Sequence, residues 1–374
     1  MPTCRALLLL LLCLPFLPAA RAQSASAHGA PANSASACAS CHRAESMSQP
    51  LTDMGRALQL PPHDADLNAH PDLTFTRGPY RYTVKTSGGV TQYSVSDGTR
   101  TITVPVLWAM GAKAQTWVLD HDGQMYESLV SWYPDTHALD VTVGDDILHP
   151  ATLEQAIGRP LDKEGVSTCF GCHATHAVID HKLNLSHFQP GLGCAHCHVG
   201  VEAHLAAVVH GDMNVTPPDL SNLSSEDMSS FCGTCHRSFS LVVRQGWRGV
   251  ADVRFQPYRL ALSKCFNGAD PRIACIACHN PHGEVSHDAA FYDKKCLACH
   301  SPAMAAHAIN ASHEVTAADA APTSPVPPTH AKVCPVATTR CVSCHMPKTK
   351  FPGGHFTFTD HYIRVVKPGE PYPY

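Results

Sequence analysis

Seven copies of one pattern, Cys-x-x-Cys-His, run through this 374-residue chain and constrain it more than any other feature. They are Cys38-Cys41-His42, Cys169-Cys172-His173, Cys194-Cys197-His198, Cys232-Cys235-His236, Cys275-Cys278-His279, Cys296-Cys299-His300 and Cys341-Cys344-His345. Cysteines three apart lie about one helical turn from each other and face the same side. Their thiols can therefore add to the two vinyl groups along one porphyrin edge. The adjacent histidine then offers its imidazole to the iron as proximal ligand. The pattern predicts seven covalent haem c groups, with those fourteen cysteines as attachment points and His42, His173, His198, His236, His279, His300 and His345 as proximal ligands. Zinc sites and thioredoxin-like redox motifs also use Cys-x-x-Cys, but neither explains a histidine after every pair.

The first residues predict export. Arg5 precedes the apolar run Ala6 to Leu17, and Ala20-Arg21-Ala22 offers small residues for cleavage before Gln23. Residues 1–22 thus read as a signal peptide, leading to the periplasm or to display outside the cell. No later run is long enough to span a membrane. The net charge of −4 falls to −6 once Arg5 and Arg21 leave with the signal. That acidic balance argues against nucleic-acid binding. Cys265 and Cys334 stand outside the motifs and are expected to form a disulfide in an oxidising compartment.

Motif positions divide the mature chain into residues 23–150, with one motif, and 151–374, with six. Tyr80 to Val84, Thr91 to Val95, Thr101 to Val106, Thr116 to Leu119 and Met125 to Val130 are rich in aromatic and β-branched residues. Asp97-Gly98 and Asp122-Gly123 are turn signals. A small antiparallel β region near residues 80–133, covering haem faces, is expected. From residue 151 short helical pieces such as Thr152 to Ile157 and Ala203 to Val209 alternate with Pro and Gly, and Ala320 to Ala331 is proline-rich. The fold class expected is mostly irregular and α, organised around stacked haems that supply much of the apolar interior.

The repeated motif resembles the multihaem cytochrome c superfamily, which includes octahaem tetrathionate reductase, hydroxylamine oxidoreductase and tetrahaem electron-transfer cytochromes. Arg254-Phe255-Gln256-Pro257-Tyr258-Arg259-Leu260, Asn280-Pro281-His282-Gly283, Cys341 to Lys348 and Phe358-Thr359-Asp360-His361 carry the likeness. The resemblance implies haems in stacked and perpendicular pairs with electron transfer along them. It also implies that His204, His282, His361 and His70 reach iron from the distal side. His176, His313 and His355 are further distal candidates. No Cys-x-x-Cys-Lys motif is present.

An iron with protein ligands on both faces shuttles electrons; one with an open face does chemistry. The expected function is an exported heptahaem cytochrome moving electrons between redox-protein partners. The alternative is a multihaem oxidoreductase acting on a small nitrogen or sulfur compound at one open haem. Arg254, Arg259 and Arg272 would then hold an oxyanion, or otherwise pair with haem propionates. Assembly into filaments is a third reading, and the sequence shows no subunit contact.

Overall fold

The computed structural model describes residues 35–186, 188–301 and 333–373. The signal segment, His313 and Ala320 to Ala331 lie outside the described residues.

An eight-stranded, curled antiparallel sheet dominates the first half. Its strands are β1 (Leu58–Gln59), β2 (Asp72–Arg77), β3 (Tyr80–Ser87), β4 (Val90–Ser96), β5 (Thr101–Met110), β6 (Thr116–His121) and β7 (Gln124–Ser128), closed at one edge by Gly158–Pro160. A separate hairpin, β8 (Val130–Tyr133) and β9 (Ala138–Val141), follows β7, so the edge strand Gly158–Pro160 is β10 in chain order. Alternation places Tyr80, Tyr82 and Val84 of β3 inward beside Thr91, Tyr93 and Val95 of β4. Tyr82, Tyr93 and Trp117 meet ring to ring at centroid separations of 6.1 and 6.3 Å. The β6–β7 hairpin turns at Asp122-Gly123, whose φ values of 53° and 80° give the left-handed pair that a two-residue hairpin needs.

One irregularity determines where the sheet sends its side chains. The β5–β6 register shifts between Val106 and Trp108. Before the bulge the even-numbered residues Val104 and Val106 point into the tyrosine-lined core. After it the parity reverses: Ala109 stays with that core, while Trp108 and Met110 turn to a second cluster. There the Trp108 ring meets Phe170 edge-on at 5.0 Å. Phe170 lies on helix Lys163–His173, which carries the second Cys-x-x-Cys-His motif.

The expected irregular and α fold, organised around haems, is therefore overturned. The protein is mixed α/β, and its largest core belongs to a sheet that extends beyond residues 80–133 and buries its own side chains. Single strands were readable, but the reach of the sheet was not. β1 and β10 are too short to show an alternation, and pairing with β5 and β7 makes them strands.

The rest of the chain is short helices, including Ser225–His236, Phe239–Gln245 and Gln256–Ala261. Its buried clusters are small: Val242, Phe255 and Tyr258 form one, and Val253, Phe351 and Phe356 form the other together with Tyr133 of β8. Large apolar side chains lie on its surface, with Val209 82 % and Val199 69 % exposed. Among the described residues no helix is long and apolar enough to cross a membrane.

Candidate cofactor-attachment site

Every motif places its two cysteines within one helical turn. Motifs two, four, six and seven end helices Lys163–His173, Ser225–His236, Asp293–His300 and Cys341–His345, while motifs three and five are the single turns Cys194–Cys197 and Cys275–Cys278. In the first, third and fifth the histidine N–H donates to the first cysteine's carbonyl at 2.8, 2.9 and 2.9 Å. Capping fixes several of these turns. Asp162 and Ser224 accept from backbone N–H groups at the starts of their helices. Asp293 accepts from the N–H groups of Arg340 and Cys341 at 2.7 and 2.8 Å, so the sixth motif's helix caps the seventh. Those bonds hold the Asp293 carboxyl below its ordinary range.

Thiols of different motifs meet in pairs: Cys38 with Cys194, Cys172 with Cys235, Cys232 with Cys275, and Cys296 with Cys341. Burial, reinforced by these neighbours, pushes Cys38 up to about 11 and Cys296 up to about 12. Cys265 and Cys334 are both free thiols, so the expected disulfide is not formed.

Four histidines share one arrangement. His173 Nδ1 lies 2.8 Å from the Ala57 carbonyl, His345 Nδ1 2.8 Å from that of Arg364, His204 Nδ1 2.6 Å from that of Val215 and His361 Nδ1 3.0 Å from that of Thr359. A carbonyl oxygen only accepts, so Nδ1 carries the proton and Nε2 keeps its lone pair for a metal.

Among the described residues three histidine pairs bring their rings together; one of them, His70 and His137 with centroids 6.1 Å apart, belongs to no motif. His198 and His282 have ring centroids 6.0 Å apart, and His279 and His361 are 6.1 Å apart. Two imidazoles on opposite sides of one metal, each bonded at about 2 Å through nitrogen, hold their ring centres ~6 Å apart. Burial, with the neighbouring imidazole second, lowers His361 to about 4, and burial likewise lowers His198, His236 and His279. Each shift favours the neutral imidazole, the form that ligates metal.

Other candidates are engaged elsewhere. His355 Nε2 lies 2.7 Å from an Asp140 carboxylate oxygen and its ring meets Tyr133 edge-on. The His70 ring lies 4.4 Å from that of Trp132, tilted by 38°, and His176 lies 3.7 Å from Glu202. Arg259 and Arg272 are likewise taken: Arg259 forms a two-pronged pair with Asp360, and Arg272 with Asp270. Both carboxylates are supplied by the protein, which corrects the propionate and oxyanion roles expected of them. Arg254 lies over the rings of Phe255 and Phe351.

No family model, no curated protein and no solved structure matches the chain. Among the described residues no group of three or more His, Cys, Asp or Glu side chains is gathered to hold a metal ion. These findings correct the larger expectation. Neither the fold nor any assembled metal centre supports the multihaem cytochrome c likeness, a seven-haem set organising the whole chain, or the heptahaem carrier and multihaem enzyme built on it. Such a group would be a centre made by protein alone. Haem iron takes its equatorial ligands from the porphyrin and asks the protein for axial ones only. The pairs His198–His282 and His279–His361 lie beside the third and fifth Cys-x-x-Cys turns.

Proposed function

We propose that the Cys-x-x-Cys-His segments are covalent haem-attachment points carried by a β-sheet protein, and that its partners are redox proteins met after export. The observation that carries this reading is the spacing of His198 and His282, and of His279 and His361, at 6.0 and 6.1 Å beside the third and fifth motifs. A bound haem would supply one-electron chemistry at its iron. The chain's own part is to present thiols on one side of a helical turn, to favour neutral imidazoles, and to set Nδ1 of His173, His204, His345 and His361 against backbone carbonyls.

The test is production of the full chain in an exporting host with and without a haem-attachment apparatus. Intact mass is then read under denaturing conditions. Covalent haem increments that disappear when Cys194, Cys197, Cys275 and Cys278 are replaced by alanine, motif by motif, support the reading. A chain carrying no increment, with thiols open to alkylation at every motif, ends it. The same spectra report whether the exported form begins at Gln23.

A further inference from the structure

The segment from Asp360 to Arg364 is held by more interactions than its length requires. Arg259, whose side chain is fully buried, donates from Nε and a terminal nitrogen to the two Asp360 oxygens, both at 2.9 Å. Its remaining terminal nitrogen donates to the Pro373 carbonyl at 2.8 Å, and its guanidinium lies 4.5 Å from the Tyr372 ring centre. Arg364 closes on the same carboxylate at 2.8 Å. Ser263 adds a second anchor: its hydroxyl accepts from the Ile363 N–H at 2.8 Å and donates to the His361 carbonyl at 3.3 Å.

Two histidines depend on this segment in different ways. His361, next to Asp360, faces His279 of the fifth motif. The Arg364 carbonyl receives the Nδ1 proton of His345 in the seventh motif, and the Arg364 N–H donates back to the His345 carbonyl at 3.2 Å. A buried carboxylate between two guanidiniums is a costly way to fasten a chain end, since apolar residues of similar volume would serve stability as well or better. What it adds is angular precision, because a two-pronged guanidinium–carboxylate pair has one geometry.

We propose that the Arg259–Asp360–Arg364 clamp is a positioning device that sets the imidazoles of His361 and His345 together, so that one buried carboxylate governs the axial ligation of haem at both the fifth and seventh motifs. This rests on the haem-attachment reading above. Asp360, Arg259 and Arg364 touch no iron and act only through the two histidines.

The experiment uses the full, haem-loaded chain carrying Asp360→Asn, with Arg259→Lys and Arg364→Gln beside it. Haem number is read by intact mass, and spin state by electron paramagnetic resonance of the oxidised protein. The expected result is wild-type haem number with low-spin intensity lost from two irons in Asp360→Asn. Arg259→Lys, which keeps the charge but not the fork, loses less. Arg364→Gln, which removes only the outer arm, broadens the same two signals and serves in place of Asp360→Asn should that variant not accumulate. A clamp that only fastens the chain would lower the melting temperature and leave every spin state as in wild type; that result overturns the proposal while the attachment reading stands. A wild-type chain without covalent haem overturns both.

Discussion

The β body and the motif-bearing stretch that follows it distribute their apolar residues in opposite ways. Between residues 58 and 160, tyrosines, valines and tryptophans alternate along paired strands and close over one another, and Tyr82, Tyr93 and Trp117 are wholly buried. Between residues 194 and 300 the protein buries Val201, Met228, Val242, Val253, Phe255 and Tyr258 but leaves other apolar residues uncovered. Val199, Val209, Met213, Phe239 and Val243 are exposed, and the local buried cluster is three residues. The first region satisfies the requirement to remove apolar area from water by folding alone. The second also leaves large apolar side chains in water, in the same stretch where thiol pairs and imidazoles converge. The comparison therefore separates a part that buries most of its large apolar residues against one another from a part that leaves several of them at the surface.

The largest effect expected tests that separation directly. The full chain is produced without haem attachment and exposed to limited proteolysis and hydrogen exchange. Residues 58–160 are expected to stay protected, while amides between 194 and 300 open with rates at least about tenfold higher. Attachment should remove most of that difference. Equal protection of both regions in the unattached chain would break the comparison, because the second region would then need no ligand to be stable.

How much of this was visible beforehand follows the same division. Strands with strict alternation, such as Tyr80-Arg81-Tyr82-Thr83-Val84, announce themselves because period two puts one face in the core. The bulge after Val106 does not, since Leu107 looks like an ordinary member of the run Val104 to Met110. Only pairing with β6 shows that parity has changed. The motifs were legible because their chemistry is local: three residues of spacing fix one helical turn. The histidine pairs were not derivable from spacing, since His198 and His282 meet through tertiary packing. His70 and His355 show the limit from the other side. Sequence likeness groups both with iron-facing histidines, whereas packing sets one against Trp132 and the other against Asp140.

A smaller effect, confined to the β body, sharpens its independence. Asp145 is buried, one of its carboxylate oxygens has no partner, and burial, aided by Glu127, pushes it up to about 6 from 3.8. A carboxyl whose folded value is raised favours the folded state most below its unfolded value. That contribution is lost as pH rises through about 6. Asp145→Asn should therefore leave stability near pH 4 almost unchanged and raise it by about 1–3 kcal/mol at pH 8. Thermal unfolding across pH, followed by tryptophan fluorescence, checks this. An Asn variant no more stable than wild type at pH 8 would mean that water or Arg77 and Arg159 already satisfy the ionised group.

The smallest effect concerns the seam between the two regions. Trp108, redirected by the bulge, and Phe170, on the helix that ends in Cys172-His173, meet with rings at 90°. Edge-to-face pairs contribute about 0.5–1.5 kcal/mol beyond the area they bury. A double-mutant cycle with Trp108→Leu and Phe170→Leu should return a coupling in that range when unfolding of the sheet is followed. The more informative readout lies on the other side of the contact. The same helix holds His173, whose Nδ1 is tied to the Ala57 carbonyl one residue before β1. Loosening the Trp108–Phe170 contact should thus shift the environment of the second motif, seen as a changed spectrum of a haem attached there, with the third and fifth motifs unaffected. If the coupling is measured and no motif responds, the sheet is a separate body that merely neighbours the attachment sites. A response at the second motif alone would instead assign it to the sheet, drawing the boundary between the two regions after His173 and not before Lys163.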